Sequence, residues 1–571
     1  MKHFIIFAAI LIVTTVKAQT YSVYQNNGFD PVTRTIYKPG VNLHTSVKPY
    51  RLDEVNNYFS VDSLIQRGLY MNPGRHRFWN SVKRIVVYED LIKWKDDEIF
   101  VRINPLFNFE IGKEFSEGKK TWVNTRGVMI EGNLGKNLAF YGDVYESQAV
   151  FPQYLSDFIC EYDRDKNGNI NTKKAVGGRY VVPGFGRMKP YRDGGFDYSQ
   201  SNGYLSYNAG KWINLQIGYG KNFIGDGYRS LMLSDNAPSY GHIKMTATFW
   251  KVKYWWMVGQ FHHFNFDERP GIMGVERFPN KYGAFHYLTW NIGKRVSFGI
   301  YESVIWSAED EIGHRGIEMN YLCPFLFYRP AEFNIGSPDN MLVGANLKVI
   351  PWKNAALYGQ LIFNEFKLNE LKSNEKWWGN KYGFQFGFKY YNVFGIRNLD
   401  IQTEYNQVRP FTYTWYSPVN NFGHANQELA HPLGANFKEN VSVLRYRWKR
   451  WHLELQNMIA MHGKDKNIEE TVAWDAHEPT KTFIISYGGD IFKSNETPPR
   501  YGTYGHKIGQ GLKTDILNFS GEISWLINPR TNMNIAIGGR YRKESNIIGD
   551  NSNKIFFVTF RTSLRNFYYD F

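Results

Sequence analysis

Cysteine is nearly absent from this chain. Two residues, Cys160 and Cys323, stand in 571, which excludes a disulfide scaffold. The two could pair in an oxidising compartment or remain as free thiols. Long apolar runs are missing as well. After the first twenty residues nothing approaches the ~20 apolar residues that a membrane helix needs, and the mean hydropathy is −0.46. A helical membrane protein is thereby excluded. A membrane β-barrel is not, because alternating strands hide their hydrophobicity from any average. Catalytic signatures are lacking too: there is no GxSxG, no HExxH and no paired CxxC. His262-His263 ahead of Asp267-Glu268 is the densest group of metal-ligand types. Neighbouring residues on a strand point to opposite faces, however, so the two histidines could not chelate one ion there.

What is present is aromatic, glycine-rich and basic: 17% aromatic residues, 52 Gly and a net charge of +15. The first residues set the compartment. Met1-Lys2-His3 is a basic start, Phe4 to Val13 an apolar core, and Val16-Lys17-Ala18 offers small residues before a cut at Gln19. This is the pattern of a secretory signal peptide over residues 1–18. Residues 19–97 read as a partly helical segment. Asp62 is placed to cap a short helix through Leu64 and Ile65, and Phe78, Trp79, Val82, Ile85 and Val86 recur at helical spacing, with the last helix ending near Lys93.

From residue 98 to 571 the period is two. Leu517, Phe519, Ile523 and Trp525 alternate with Asn518, Ser520, Glu522 and Ser524, and Phe384, Phe386 and Phe388 face away from Gln385, Gly387 and Lys389. A soluble sandwich would turn the apolar face inward; an outer-membrane barrel turns it outward, toward lipid. Connection lengths decide between them. About eighteen strands are joined by eight tight turns interleaved with nine longer segments, near 112–119, 149–200, 220–242, 263–282, 305–340, 366–380, 408–440, 461–511 and 543–553. Short periplasmic turns and long extracellular loops produce that alternation. The expected fold is all-β, a transmembrane antiparallel barrel of about 18 strands preceded by a short helical periplasmic segment. Phe567, Tyr569 and Phe571 alternate like a final strand, on the opposite parity to Phe556, Val558 and Phe560, so that strand needs a bulge near Arg565–Asn566.

Three motifs carry a resemblance. Gly218-Tyr-Gly-Lys-Asn-Phe-Ile-Gly-Asp-Gly-Tyr-Arg-Ser-Leu-Met-Leu-Ser-Asp235, Arg329-Pro-Ala-Glu-Phe-Asn-Ile-Gly-Ser-Pro-Asp-Asn340 and Leu357-Tyr-Gly-Gln-Leu-Ile-Phe-Asn-Glu-Phe-Lys367 resemble, in order, segments of the Wzi-type capsule-assembly family of outer-membrane proteins. Within it the chain most resembles the gliding-motility (RemB-type) branch of the Bacteroidetes. The resemblance implies an outer-membrane barrel with periplasmic helices that handles surface polysaccharide or surface adhesion and binds glycan without turning it over. Outer-membrane lipid and lipopolysaccharide, surface polysaccharide, and motility or secretion proteins are the implied partners.

Candidate ligand residues follow from local chemistry. Asp226, Tyr228 and Arg229 lie in a glycine-rich loop, where they could bond sugar hydroxyls or simply pin the loop to the lumen. Arg329, Glu332, Asp339 and Asn340 carry the same two readings. Trp377 and Trp378, like Trp415 and Tyr416, could stack on sugars or belong to interfacial girdles. Arg445, Arg447 and Lys449 alternate with Leu444, Tyr446 and Trp448, so all three cations should face the lumen, where they could attract an acidic polysaccharide or form a salt-bridge ladder. With Arg450-Trp451 as the turn, His452, Glu454 and Gln456 share their face. Asp163, Asp165, Asn167 and Asn169 match the first half of a calcium loop, with Gly168 at position 6. Position 12 is Lys174 where a bidentate Glu is needed, so a solvated turn competes with a weak Ca2+ site; no other cofactor is implied. Nucleic acid is excluded, since the charge is spread over strands of a secreted chain. The leading function is a glycan-handling surface barrel. The alternative is a porin-like channel for oligosaccharides or anionic solutes.

Overall fold

The computed structural model describes residues 30–571 apart from 67–68, 70–77, 165–169, 265–277, 311–312, 325–326, 338, 467–468, 473–480, 497–499, 563 and 565–566. The signal-peptide stretch and Asp165, Asn167 and Asn169 fall outside the described residues. Asp163 lies on a short strand, Glu161–Arg164, that pairs with Ile170–Gly177.

Eighteen antiparallel strands close into a barrel. They are β1 (Ile99–Glu114), β2 (Lys119–Leu134), β3 (Leu138–Val150), β4 (Gly195–Ala209), β5 (Ile213–Gly220), β6 (Tyr240–Phe249), β7 (Val252–His262), β8 (Asn280–Ile292) and β9 (Val296–Ser307). The circle continues with β10 (Asn340–Val349), β11 (Ala355–Glu365), β12 (Lys381–Tyr391), β13 (Leu399–Val408), β14 (Phe437–Trp448), β15 (Trp451–Lys464), β16 (Leu512–Asn528), β17 (Met533–Asn546) and β18 (Gly549–Arg561). The seam joins Asn108–Glu114 of β1 to Arg561–Ile555 of β18. Outward residues form the apolar band that lipid requires, among them Ile111, Val144, Ile217, Ile243, Phe386, Ile459, Phe519 and Ile537. Alternate residues such as Gln385, Glu404, Asn406 and Asn518 are buried inside.

All eight tight turns lie at one end. At the other, two of the nine expected long loops are short: only Ile547 and Ile548 separate β17 from β18, and four residues separate β1 from β2. These strands simply extend past the apolar band. The β14–β15 turn is Lys449–Arg450, with Trp448 paired to Trp451. Lys449 is therefore an exposed turn residue rather than a lumen cation, whereas Arg445 and Arg447 pair across the ladder with Glu454 and His452, as the alternation requires.

Among the described residues four helices precede the barrel: α1 (Asp30–Ile36), α2 (Leu52–Asn56), α3 (Val61–Gln66) and α4 (Phe78–Tyr88). The Ser60 hydroxyl accepts from the amide of Ser63, so Ser60 rather than Asp62 caps α3. Helix α4 stops at Tyr88, and Ile92–Lys95 is already a strand paired with β1. These helices sit across the tight-turn end. Gly40 N donates to Lys294 O at 3.0 Å, and Asn528 Nδ2 to Glu89 O at 2.9 Å.

Two features depart from the simple polar-inside pattern. First, the lumen contains an apolar core. Trp255, Met257, Phe261, Phe285, Tyr287 and Tyr301 of β7–β9 point inward and pack on Leu231, Met232 and Leu233 of segment 221–239 and on Leu429 and Leu433 of segment 409–436. The outward faces of these strands are largely apolar too, with His286 and Glu302 as polar exceptions. Second, residues 567–571 are not a strand. The wall ends at Arg561, and the chain turns into the lumen, where Tyr568 and Asp570 are buried. Phe567, Tyr569 and Phe571 pack on lumen aromatics such as Phe185, Phe151 and Phe158 instead of facing lipid; Arg565–Asn566, where a bulge is expected from the sequence, lie outside the described residues. Cys160 is buried and Cys323 half-buried.

Candidate functional site

The lumen is filled from three directions. From the tight-turn end, residues 44–48 rise inside. Val47 and Lys48 pair with Ile224 and Phe223, and Gly225 N donates to Ser46 O at 2.7 Å. Asp226 fastens this junction, accepting from Tyr37 Oη at 2.9 Å, Thr45 Oγ1 at 2.5 Å and Asn346 Nδ2 at 3.2 Å. Burial opposes its charge, but Lys348, the Thr45 hydroxyl, Lys389 and Lys48 outweigh burial and hold its carboxyl below the ordinary range. Glu54 of α2 clamps the same cap to Lys253 of β7 and Arg51. Despite burial, those two cations hold it at about 2.

The loop 221–239 crosses the lumen. Glu404 accepts from the amides of Tyr228 (2.8 Å) and Arg229 (3.1 Å) and from Tyr358 Oη (2.8 Å). The backbone therefore has to run close to the wall. A Cβ on Gly227 would sit 2.5 Å from Glu404 Oε2, and Gly225 has φ +146. Arg229 then reaches the third inward element, residues 567–571. Its guanidinium lies 3.1 Å from Glu439 and from Asp570, and against the rings of Tyr228 and Tyr568.

Residues 567–571 separate two cavities. The inner one, about 270 Å³, is lined by Glu110, Glu454, Glu522, Arg445, Arg540 and Arg561, with Leu564, Phe567, Tyr568 and Tyr569 on one side. Its charges are largely paired: Arg445 with Glu454 at 2.7 Å, and Arg561 with Glu522. The outer cavity, about 660 Å³, opens at the long-loop end with Phe571 in its lining. Around it stand Tyr154 and Phe158 of a short helix, α5 (Gln153–Ile159), with Arg179, Lys464, Asp465, Asp490, Arg542 and Glu544. Arg542 bonds Glu544 at 2.9 Å and Phe571 O at 3.2 Å, and Lys464 bonds Glu544 at 2.5 Å. Asp465, paired with Lys493 at 3.2 Å, is raised to about 6 because burial, with Asp490 nearby, outweighs that cation. Aromatic faces beside paired charges are the chemistry that grips a sugar, with apolar ring faces stacked and hydroxyls bonded.

Beyond Asp490 the loop 465–511 carries the rim onward. Tyr487 stacks on Tyr501 (4.9 Å), and Arg500 sits 4.0 Å from the ring of Trp378. Trp377 and Trp378 lie 5.8 Å apart, half-buried, with Lys367 and Lys381 against their rings; Tyr416 is exposed beside Trp415.

The structure thus disperses the residues singled out by sequence. Asp226 and Arg229 are buried anchors of the inward loop, and Tyr228 and Arg445 border the inner cavity. Arg447 faces the lumen from the tight-turn half of β14. Arg329, Glu332 and Asp339 belong to segment 308–339. Arg329 pairs with Glu332 at 2.7 Å, and Asp339 accepts both Arg315 nitrogens at 2.7 and 2.8 Å. Asn340 is buried at the head of β10, donating to Asn420 O at 2.8 Å. The outer-cavity residues Tyr154, Arg179, Lys464, Asp465 and Arg542 were not singled out. They come from four separated places in the chain, with only Lys464 and Asp465 adjacent, and no local pattern marks their convergence.

No protein-family model matches the chain, and no curated protein matches it in sequence. Among solved structures it is similar to Wzi of Escherichia coli, described as an outer membrane protein involved in group 1 capsule assembly and a carbohydrate-binding β-barrel. The identity is 11%, over 96% of this chain and 100% of that one, with a TM-score of 0.50. It is also similar to OprD of Pseudomonas aeruginosa (9% identity, 81% and 96% covered, TM-score 0.40) and to OpdK of the same organism (8%, 81% and 98%, 0.41). With its closed 18-strand wall and apolar outer band, this chain shares the architecture of an outer-membrane β-barrel, the architecture of Wzi.

Proposed function

We propose that this protein sits in the bacterial outer membrane with its long loops outward and binds surface polysaccharide at its mouth without chemical turnover. Its service is the attachment or assembly of that polysaccharide as capsule, or surface adhesion in gliding motility. The observation that carries this reading is the plugged lumen beneath an aromatic, charged mouth cavity. A barrel filled by its N-terminal segment, two loops and residues 567–571 suits holding a chain better than passing one. Within this reading Trp377 and Trp378 extend the sugar platform along the rim, while Asp226 and Arg229 keep the plug in place. Removal of the segment before Gln19 and partnership with motility or secretion proteins belong to the same proposal.

Deletion in the native host, scored for capsule retention and colony spreading, tests the physiological role: intact capsule and normal spreading would sink it. Purified wild-type protein and a Tyr154→Ala/Phe158→Ala variant, titrated with the host's surface polysaccharide, test the site. Equal binding by both rules out the mouth cavity. A second reading, a porin-like channel, is favoured by the two lumen cavities that lie on either side of residues 567–571. A single-channel conductance from the intact protein in planar bilayers would select it.

A further inference from the structure

The connection between β9 and β10 was expected to stand at the mouth with the other long loops. Instead it folds down the outside of the wall. On β7–β9 the inward residues are known from their partners: Tyr301 Oη donates to Met232 O, and Tyr287 Oη to Ser46 Oγ. Residues of the opposite parity, Val258, Ala284, Glu302, Val304 and Trp306, therefore face outward. Yet Ala284, Val304 and Trp306 are fully buried. They are covered by Tyr321, by Tyr328 and by the helix that follows it, α6 (Tyr328–Ile335). Lower on the same face of β9, Phe298 and Ile300 are bare.

The depth of this cover matters. Strand β9 has 12 residues, and Glu302 is the seventh. Since ~9–11 tilted residues cross a bilayer, Glu302 and its neighbour His286 lie near the middle of the span. A polar group facing hydrocarbon there costs several kcal/mol unless it is bonded internally. Segment 308–339 supplies the bonds: Tyr328 N donates to Glu302 at 3.1 Å, the Tyr328 ring meets His286 at 4.2 Å, and Tyr254 Oη bonds Pro324 O and His286 Nδ1. Trp306 Nε1 donates to Gly316 O at 3.1 Å. The segment's own outer surface is apolar where it continues the band: Phe333 is 83% exposed, Met319 74% and Phe327 70%. Arg329, between the two phenylalanines, has its charge paired with Glu332 while its long side chain is 75% exposed, and Asn320 and Asn334 are exposed as well.

We infer that segment 308–339 is a membrane-seated flap. It replaces lipid over the part of the β7–β9 outer face that carries His286 and Glu302, and presents Phe327, Phe333 and Met319 to the acyl chains of the outer leaflet. The occupant is the bilayer, because the flap's apolar surface is continuous with the barrel's lipid-facing band at Ile300 and Phe298. This rests on the membrane location proposed above.

The test uses the full chain carrying Cys160→Ser and Cys323→Ser, reconstituted in phosphatidylcholine vesicles, with retained heat-modifiable migration as the check on folding. A nitroxide is placed in turn at Phe333→Cys, Met319→Cys, Phe386→Cys on the bare wall and Tyr416→Cys on a loop. Labels at 333 and 319 are expected to collide with dissolved oxygen more than with a water-soluble nickel chelate, as the label at 386 does. Water-like values at 333 and 319, matching 416, overturn the flap while leaving the barrel reading intact. Water-like values at 386 as well overturn the membrane reading itself. Spin–spin broadening at 333 with a lipid-like 386 overturns the proposal in favour of a second copy of the chain on this face.

Discussion

The guanidinium of Arg229 lies 3.1 Å from the carboxylate of Asp570, and both side chains are almost wholly shut off from solvent. The pair joins the loop that crosses the lumen to the segment that divides it. Tyr228 Oη, 3.1 Å from Asp570, and the amide of Gln456 complete the cage around that carboxylate.

Replacing Arg229 with Met leaves Glu439 and Asp570 buried without their cation. Breaking such a pair costs about 3–5 kcal/mol. The Arg229→Met protein is expected to lose its heat-modifiable folded band at lower temperature, and to release residues 567–571 so that the two cavities merge. Planar-bilayer recording checks the second point, with a conductance step in the variant and none in the parent. A silent variant would mean that the segment stays in place without this pair.

The N-terminal cap should come loose in acid. Glu54 is held at about 2 against an ordinary value of 4.5. A depressed carboxyl stabilises fully above its unfolded value, and that contribution disappears as pH falls through the folded one. Protease cleavage within residues 30–66 is therefore expected to be slow at neutral pH and to rise between about pH 4.5 and 2. Glu54→Gln should show the acid behaviour at neutral pH, at a cost of about 3 kcal/mol, because Lys253 stays buried without its anion.

Asp465 behaves in the opposite sense. Its carboxyl is raised to about 6, so the folded state holds this proton more tightly than the unfolded chain does. The strain of ionising it is present above about pH 6 and fades as pH falls toward 3.8. Asp465→Asn, which retains the oxygen that accepts from Tyr487 N, is expected to raise thermal stability at pH 8 by on the order of 1 kcal/mol. At pH 4 it should change little. Equal effects at both values would show that the carboxyl is not strained.

Gly225 combines φ +146 with a site where an added Cβ would meet Gln360 Nε2 at 2.5 Å. Gly225→Ala is expected to cost about 1–3 kcal/mol through backbone strain and to weaken the strand pairing with the N-terminal segment, visible as faster hydrogen exchange at the residue-225 amide, which donates to Ser46 O. Unchanged exchange would show that the loop adapts.

Much of the wall was legible because a period of two is a local property. Phe384, Phe386 and Phe388 do face out, and Arg445 does meet Glu454 across a turn misplaced by one residue. What escaped was direction. Alternation separates two faces without saying what covers each, so Trp255 and Phe285 could not be seen to fill the lumen, nor Val304 and Trp306 to lie beneath a flap. Loop length reports contour and not course: residues 308–339 are long enough to rise over the mouth or to descend the wall. The alternating Phe567, Tyr569 and Phe571 satisfy an edge strand and an inward plug equally well, and only the buried partner Arg229, more than three hundred residues away, distinguishes them. The mouth cavity was invisible for the same reason, since its residues meet only when the barrel closes.

The inward aromatics of β7–β9 bear on how the protein is built. On β7–β9 large apolar side chains stand on both faces, under lipid or flap on one and against the plug on the other, beside inward Lys253 and Lys281 and outward His286 and Glu302. On its way to the membrane this stretch exposes large apolar side chains on both faces, which marks it as a segment prone to self-association before insertion. Its two neighbours come from opposite directions along the chain: residues 221–239 are synthesised before it, and 409–436 long after. The plug cannot be complete when these strands first emerge, so their inward aromatics stay uncovered until the later loop arrives.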